Sequence, residues 1–141
     1  LAKHRFGKIF TPTEANSLIP RLEVLMRGLQ VEAQALRARI RDLARNEPGV
    51  AGEPLSELIK RFPDLRENAT RMAEAATQVE ALGGLLKDVD QGLVDFPYEV
   101  DGDVVFLCWQ FGEREVVAWH PIEGGFAQRR PLPGASKPYL N

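Results

Sequence analysis

The sequence predicts an α+β fold: a long antiparallel helical hairpin, kinked at its prolines, packed with a small antiparallel β-meander. Three observations carry that expectation. Two stretches of heptad-spaced apolar residues are separated by a connection rich in proline and glycine. Downstream, Val104-Val105-Phe106-Leu107-Cys108-Trp109 is an unbroken apolar run, largely β-branched and aromatic, which suits a strand buried on both faces. Turn signals then punctuate the chain from Gly92 to Pro131.

The first helix is expected over residues 12–46. Thr11-Pro12-Thr13-Glu14 sets a threonine at the N-cap, a proline at the first helical position and a glutamate placed to close a capping box. Ala15, Leu22, Leu29, Leu36 and Leu43 form one apolar row, and Ile19, Met26, Ala33 and Ile40 the next. Pro20 lacks the N–H that would reach the Asn16 carbonyl, so a kink belongs there. Gly28 marks either close approach by another backbone or a tolerated surface glycine.

The connection Asn46 to Pro54 breaks the pattern, and a second helix is expected over 54–88. Leu58, Leu65, Met72, Val79 and Leu86 make one row, with Leu55, Phe62, Ala69, Ala76 and Gly83 beside it. The phase survives Pro63, which predicts a kinked helix or two helices meeting there, while Gly83-Gly84 should loosen the end. A short connection makes the two helices antiparallel. The far half of this rod carries apolar rows with little cover of its own. A homodimer burying Leu36, Ile40, Leu43, Leu58 and Phe62 is therefore expected, with a further protein partner as the other way to cover them.

The meander is expected over 93–130, with a strand from Leu93 to Pro97, a tight turn at Asp101-Gly102, a central strand from Asp103 to Trp109 and a hairpin at Gly112 leading to Glu115 through His120. Residues 1–131 form a single domain on this reading. Residues 132–141, with Pro133, Gly134, Ser136 and Pro138, form a flexible tail.

Phe10-Thr11, Glu14-Ala15-Asn16, the run Gly92 to Pro97, Leu107-Cys108-Trp109 with Gly112-Glu113, Trp119-His120 and Gly125-Phe126 together resemble an uncharacterised bacterial family, domain of unknown function 2203. The resemblance covers most of the chain and is most specific in its last third. It implies a small bacterial protein with no established activity.

Composition narrows the function classes. A net charge of −2, with no strongly basic block, gives little reason to expect nucleic acid as a partner. Arg37, Arg39, Arg41 and Arg45 are explained by a solvated face and by favourable charge near a helix C-terminus. One cysteine makes no intrachain disulfide, and no apolar run approaches the roughly 20 residues that cross a bilayer, so a cytoplasmic protein without a membrane partner is expected.

Candidate chemistry gathers at His120. An imidazole beside carboxylates serves as a general base, a metal ligand or a structural hydrogen-bonding group. Asp95 and Asp103 are the candidate companions of His120 for a divalent metal, and His120, Trp119, Tyr98 and Arg129 are the candidate pocket residues. Trp119 and His120 point to opposite faces of one strand, so only one of them lines a given cavity. Cys108 is expected to act as a small apolar residue. A hairpin that sets Cys108 opposite Val117 puts His120 about 10 Å away on the other face, and a one-residue shift that restores the face leaves about 13 Å, so the two are not expected to share an ion. The chain has no C-x-x-C, H-E-x-x-H, P-loop or nucleophile elbow, and no cofactor is predicted.

The leading expectation is a non-enzymatic interaction or assembly module, since an extended hairpin takes up much of the chain and no catalytic signature is present. The alternative is a small-molecule-binding protein or metal-assisted enzyme with a site near His120. A nucleic-acid-binding protein using the arginines of the first helix is a third, weaker reading.

Overall fold

A computed structural model describes residues 6–134. Helices α1 (Pro12–Ser17), α2 (Ile19–Asn46), α3 (Leu55–Arg61) and α4 (Pro63–Ala81) precede strands β1 (Leu85–Asp88), β2 (Leu93–Val100), β3 (Asp103–Gln110), β4 (Ala118–Pro121) and β5 (Arg130–Pro131). The strands form one antiparallel sheet in the order β1-β2-β3-β4-β5.

The capping box forms as its residues require: Glu14 N–H donates to Thr11 Oγ1 at 3.1 Å and Thr11 N–H to Glu14 Oε1 at 2.9 Å. Pro20 leaves the Asn16 carbonyl without its usual donor, and the helix breaks at Leu18, whose N–H turns to Ala15 and Asn16. Phe62, in extended backbone before Pro63, divides α3 from α4. Cross-helix contacts of Arg39 with Asp64, Glu32 with Arg71 and Arg21 with Gln78 run in opposite chain directions, so α2 and α4 are antiparallel.

Helical structure after Pro63 stops at Ala81, seven residues short of the expected 88. Gly83 N–H bonds to the Glu80 carbonyl and Gly84 N–H to that of Val79, with Gly83 at φ 100°, which is a Schellman ending. A Cβ at Gly83 would lie 2.4 Å from Phe10 Cζ. Leu85–Asp88 becomes an edge strand instead. Leu86 continues the heptad row only in spacing; it reaches the same core from the sheet.

Two cores result. In one, Leu22, Met26, Leu29 and Val79 pack against Val94, Phe96, Leu107 and Trp109 from the inner face of the sheet. In the other, Leu36, Leu43, Val50, Leu58 and Leu65 pack together, with Ile40 and Phe62 against them. Of the residues offered by the sequence for dimerisation, Leu36 and Leu58 are thus already covered within the chain, as is Leu43, while Ile40 and Phe62 are half-buried. Arg37, Arg39 and Arg45 lie against Asp90, Asp64 and Asp42.

Asp101 and Gly102 both adopt positive φ, 50° and 86°, the geometry of a two-residue hairpin turn between β2 and β3. Pro97 is tolerated in β2 because β1 does not reach it; its carbonyl accepts the Phe10 N–H at 2.7 Å. The link between β3 and β4 is wider than the expected hairpin. Trp109 Nε1 donates to the Glu113 carbonyl and Gln110 N–H to Glu113 Oε1, so the chain makes a broad turn before β4 begins at Ala118. Leu132, assigned by sequence to the tail, is buried and donates its N–H to the Val117 carbonyl at 2.9 Å; residues 135–141 lie outside the described residues.

Candidate functional site

Strand register assembles the site. Asp95 on β2 stands directly opposite Cys108 on β3, and Cys108 stands opposite Ala118 on β4. His120, two residues beyond Ala118, shares its face with Cys108. The expected separation of Cys108 and His120 is therefore overturned. The register differs by one residue from the hairpin expected, in the direction that brings His120 nearer. Donor atoms of Asp95, Cys108 and His120 all lie within 4.8 Å of one another, and all three residues are buried.

The face they share is turned away from the helices. Leu107, Trp109, Val94 and Phe96 fill the inner face of the central strands with the main core. On the outer face Phe106 meets His120 edge-on at 5.7 Å and Phe6 at 5.5 Å. A cavity of about 250 Å³ opens in front of the three donors, walled by Lys87, Asp88, Gln91, Leu93, Gly124 and Phe126.

His120 is held at both ring nitrogens. Nδ1 lies 2.8 Å from the Pro121 carbonyl, which only accepts, so Nδ1 carries hydrogen. Nε2 lies 3.0 Å from Asp95 Oδ2, and a proton must occupy that contact as well. The hydrogen bond to Asp95 raises the His120 pKa; burial opposes the rise and the Pro121 carbonyl adds to it. Asp95 Oδ1 is buried with no hydrogen-bond partner. Burial, and then the negative charge of Asp95, push the Cys108 thiol up to about 12. Such a thiol is a poor nucleophile, and the imidazole is engaged by Asp95 rather than by sulfur, so a cysteine–histidine nucleophile is not what this geometry builds.

A metal ion would change that chemistry. Nδ1–H on a backbone carbonyl fixes the tautomer whose Nε2 lone pair binds a cation, a common support for histidine ligands. Zinc ligands sit about 2.0–2.3 Å from the ion, which sets donors roughly 3.3–3.8 Å apart, so side-chain shifts of about 1 Å would close this set. The cation would also deprotonate the thiol.

The other residues suggested by sequence fall elsewhere. Asp103 is exposed at the start of β3 and pairs with Val100, outside the cluster. Tyr98 and Trp119 pack against the main core on the helix side, so neither walls the cavity. The Arg129 side chain is 6% exposed and reaches the backbone of β3: Nη2 donates to Glu113 Oε2 at 2.8 Å, Oε1 at 3.0 Å and the Cys108 carbonyl at 3.3 Å, while Nε has no partner. Cys108, read as an apolar filler, is the residue sequence reasoning set aside. Alternation along β3 was the available signal, since it turns Cys108 away from Leu107 and Trp109.

Fold and site together define an α+β protein whose antiparallel sheet carries a buried nitrogen, oxygen and sulfur donor set facing a small cavity. The chain belongs to the family described as "Uncharacterized conserved protein (DUF2203)", whose model matches residues 8–132. No curated protein and no solved structure matches it significantly. The family is uncharacterised, so membership brings no activity with it.

Proposed function

We propose that this protein binds one transition-metal ion of the zinc class through Asp95, Cys108 and His120 and presents it to a small molecule in the adjoining cavity. The observation that supports this reading is the convergence of three buried donors of different chemistry, with Asp95 Oδ1 left unpartnered. A stranded buried acceptor costs about 1–3 kcal/mol, and an ion would satisfy it together with sulfur and Nε2. Thiolate and imidazole favour zinc and its neighbours over magnesium or calcium. Three protein ligands beside a cavity match the pattern in which a further position takes water or ligand. A ligating thiol also has to stay reduced, which fits the reducing cytoplasm.

Metal analysis of untagged protein after zinc loading tests the reading. One equivalent is expected, and Asp95→Ala, Cys108→Ala and His120→Ala should each weaken zinc binding by more than the roughly 10–100-fold typical of outer-shell changes. Protein that stays metal-free in micromolar zinc would overturn it.

A second reading concerns assembly and moves the homodimer to another face. Val24 and Val31, 61% and 60% exposed, flank Gly28 on α2 and line a shallow groove of about 480 Å³ with Ala75. Exposed apolar patches of this kind commonly serve contacts between proteins. Light scattering decides: a mass near 15.7 kDa rejects the dimer, and Val31→Asp should dissociate one that forms through this groove.

A further inference from the structure

We infer that the cavity takes a small carboxylate, held between an ion on Asp95, Cys108 and His120 and the ammonium group of Lys87. The inference rests on the metal reading and specifies its ligand.

The first observation is how the fold delivers Lys87. Leu86 pairs with Val94 and Asp88 with Leu93, so an irregularity falls at Lys87 on edge strand β1. Bulges of this kind re-aim side chains beside functional sites. Here the ammonium nitrogen lies 4.8 Å from the centre of the Phe106 ring, the same ring whose edge meets His120. Lys87 and His120 thus line one cavity from neighbouring positions around one aromatic residue.

The second observation is charge. Among the described residues no carboxylate forms an ion pair with Lys87; Asp88, which also lines the cavity, spends Oδ1 on the Gln91 N–H at 2.9 Å within the β1–β2 turn. Thiolate and carboxylate ligands balance the charge of a divalent ion. Lys87 is then the cation left to meet an incoming anionic oxygen, while the ion's open position binds that oxygen or its twin.

Size and lining choose among anions. A cavity of about 250 Å³ lies below the roughly 300 Å³ at which pockets for drug-sized ligands begin, which favours a ligand smaller than a nucleotide or a lipid. Leu93 and Phe126 give it apolar walls, and Gly124-Gly125 close another side with bare backbone. An anionic head with a short apolar body fits that combination better than inorganic phosphate, which has no apolar part.

Cobalt-loaded protein provides the test, because visible absorption of the ion reports its ligands. Butyrate should shift the bands saturably and bind several-fold more tightly than acetate, reflecting its two additional methylenes. Lys87→Met should weaken butyrate by about tenfold while cobalt affinity stays within about twofold. Bands that ignore butyrate at about 10 mM, a Lys87→Met protein that binds butyrate normally, or saturation by phosphate alone would each overturn the carboxylate inference and leave the metal reading standing. Failure to bind cobalt would overturn the metal reading, and this inference with it.

Discussion

His120 Nε2 meets Asp95 Oδ2 at 3.0 Å with both side chains 3% exposed, while Nδ1 is spent on the Pro121 carbonyl. The ring therefore cannot turn without breaking a buried hydrogen bond. Orientation is what a ligand or a proton-transfer group needs from its surroundings, and here the backbone of β4 and a side chain of β2 supply it.

Metal affinity should rise with pH. Binding through Nε2 and sulfur displaces the proton in the His120–Asp95 contact and ionises the Cys108 thiol, so up to about two protons leave as the ion enters. Zinc calorimetry in buffers of different ionisation enthalpy checks this count. Binding without proton release would show that Cys108 and His120 are not the ligands.

Stability of chelator-treated protein should fall as pH rises. The folded His120 pKa lies above its unfolded value, so its contribution is fully present below the unfolded value and is lost as pH climbs through the folded one. Thermal melts from about pH 5.5 upward, spanning the ordinary histidine pKa of about 6.5, should show the decline. In Asp95→Asn, which removes the principal cause of the shift, that part of the decline should shrink. An unchanged profile would show that this pair does not govern it.

Glu113→Ala should destabilise the protein by about 3–5 kcal/mol, because it strands the buried Arg129 guanidinium beside the Cys108 carbonyl. The same change removes the acceptor of the Gln110 N–H. Urea melts measure the loss, and a variant within about 0.5 kcal/mol of the parent would show that the ion pair is dispensable.

Gly83→Ala should cost about 2–4 kcal/mol. The residue sits at φ 100°, where a Cβ is strained, and that Cβ would press on the Phe10 ring, itself packed edge-on against Phe96. Chemical denaturation gives the number, and a neutral result would show that the helix can end here without a left-handed residue.

The helical hairpin, the capping box at Thr11, the breaks near Pro20 and Pro63, and the turn at Asp101-Gly102 can all be read from residue order alone. Each depends on interactions a few residues apart, so residue type and spacing suffice. Alternation likewise placed His120 and Trp119 on opposite faces of their strand. Residue order did not determine where helix yields to strand after Ala81. Leu86 satisfies a heptad and an edge strand equally well, and the left-handed turn at Gly83 against Phe10 decides between them. Nor did it determine the site. Asp95, Cys108 and His120 come from separate strands, and a register difference of one residue between β3 and β4 separates a buried donor cluster from side chains on opposite faces. Contacts from farther along the chain join the turn bonds of Glu113 to Trp109 and Gln110 in holding that register: Arg129 donates to Glu113, and Asn16 Oδ1 accepts the Val116 N–H at 2.7 Å from across the fold. Local propensity carries no record of bonds between residues a hundred positions apart, which is why the helices and the candidacy of Asp95 and His120 were legible in the chain and the arrival of Cys108 beside them was not.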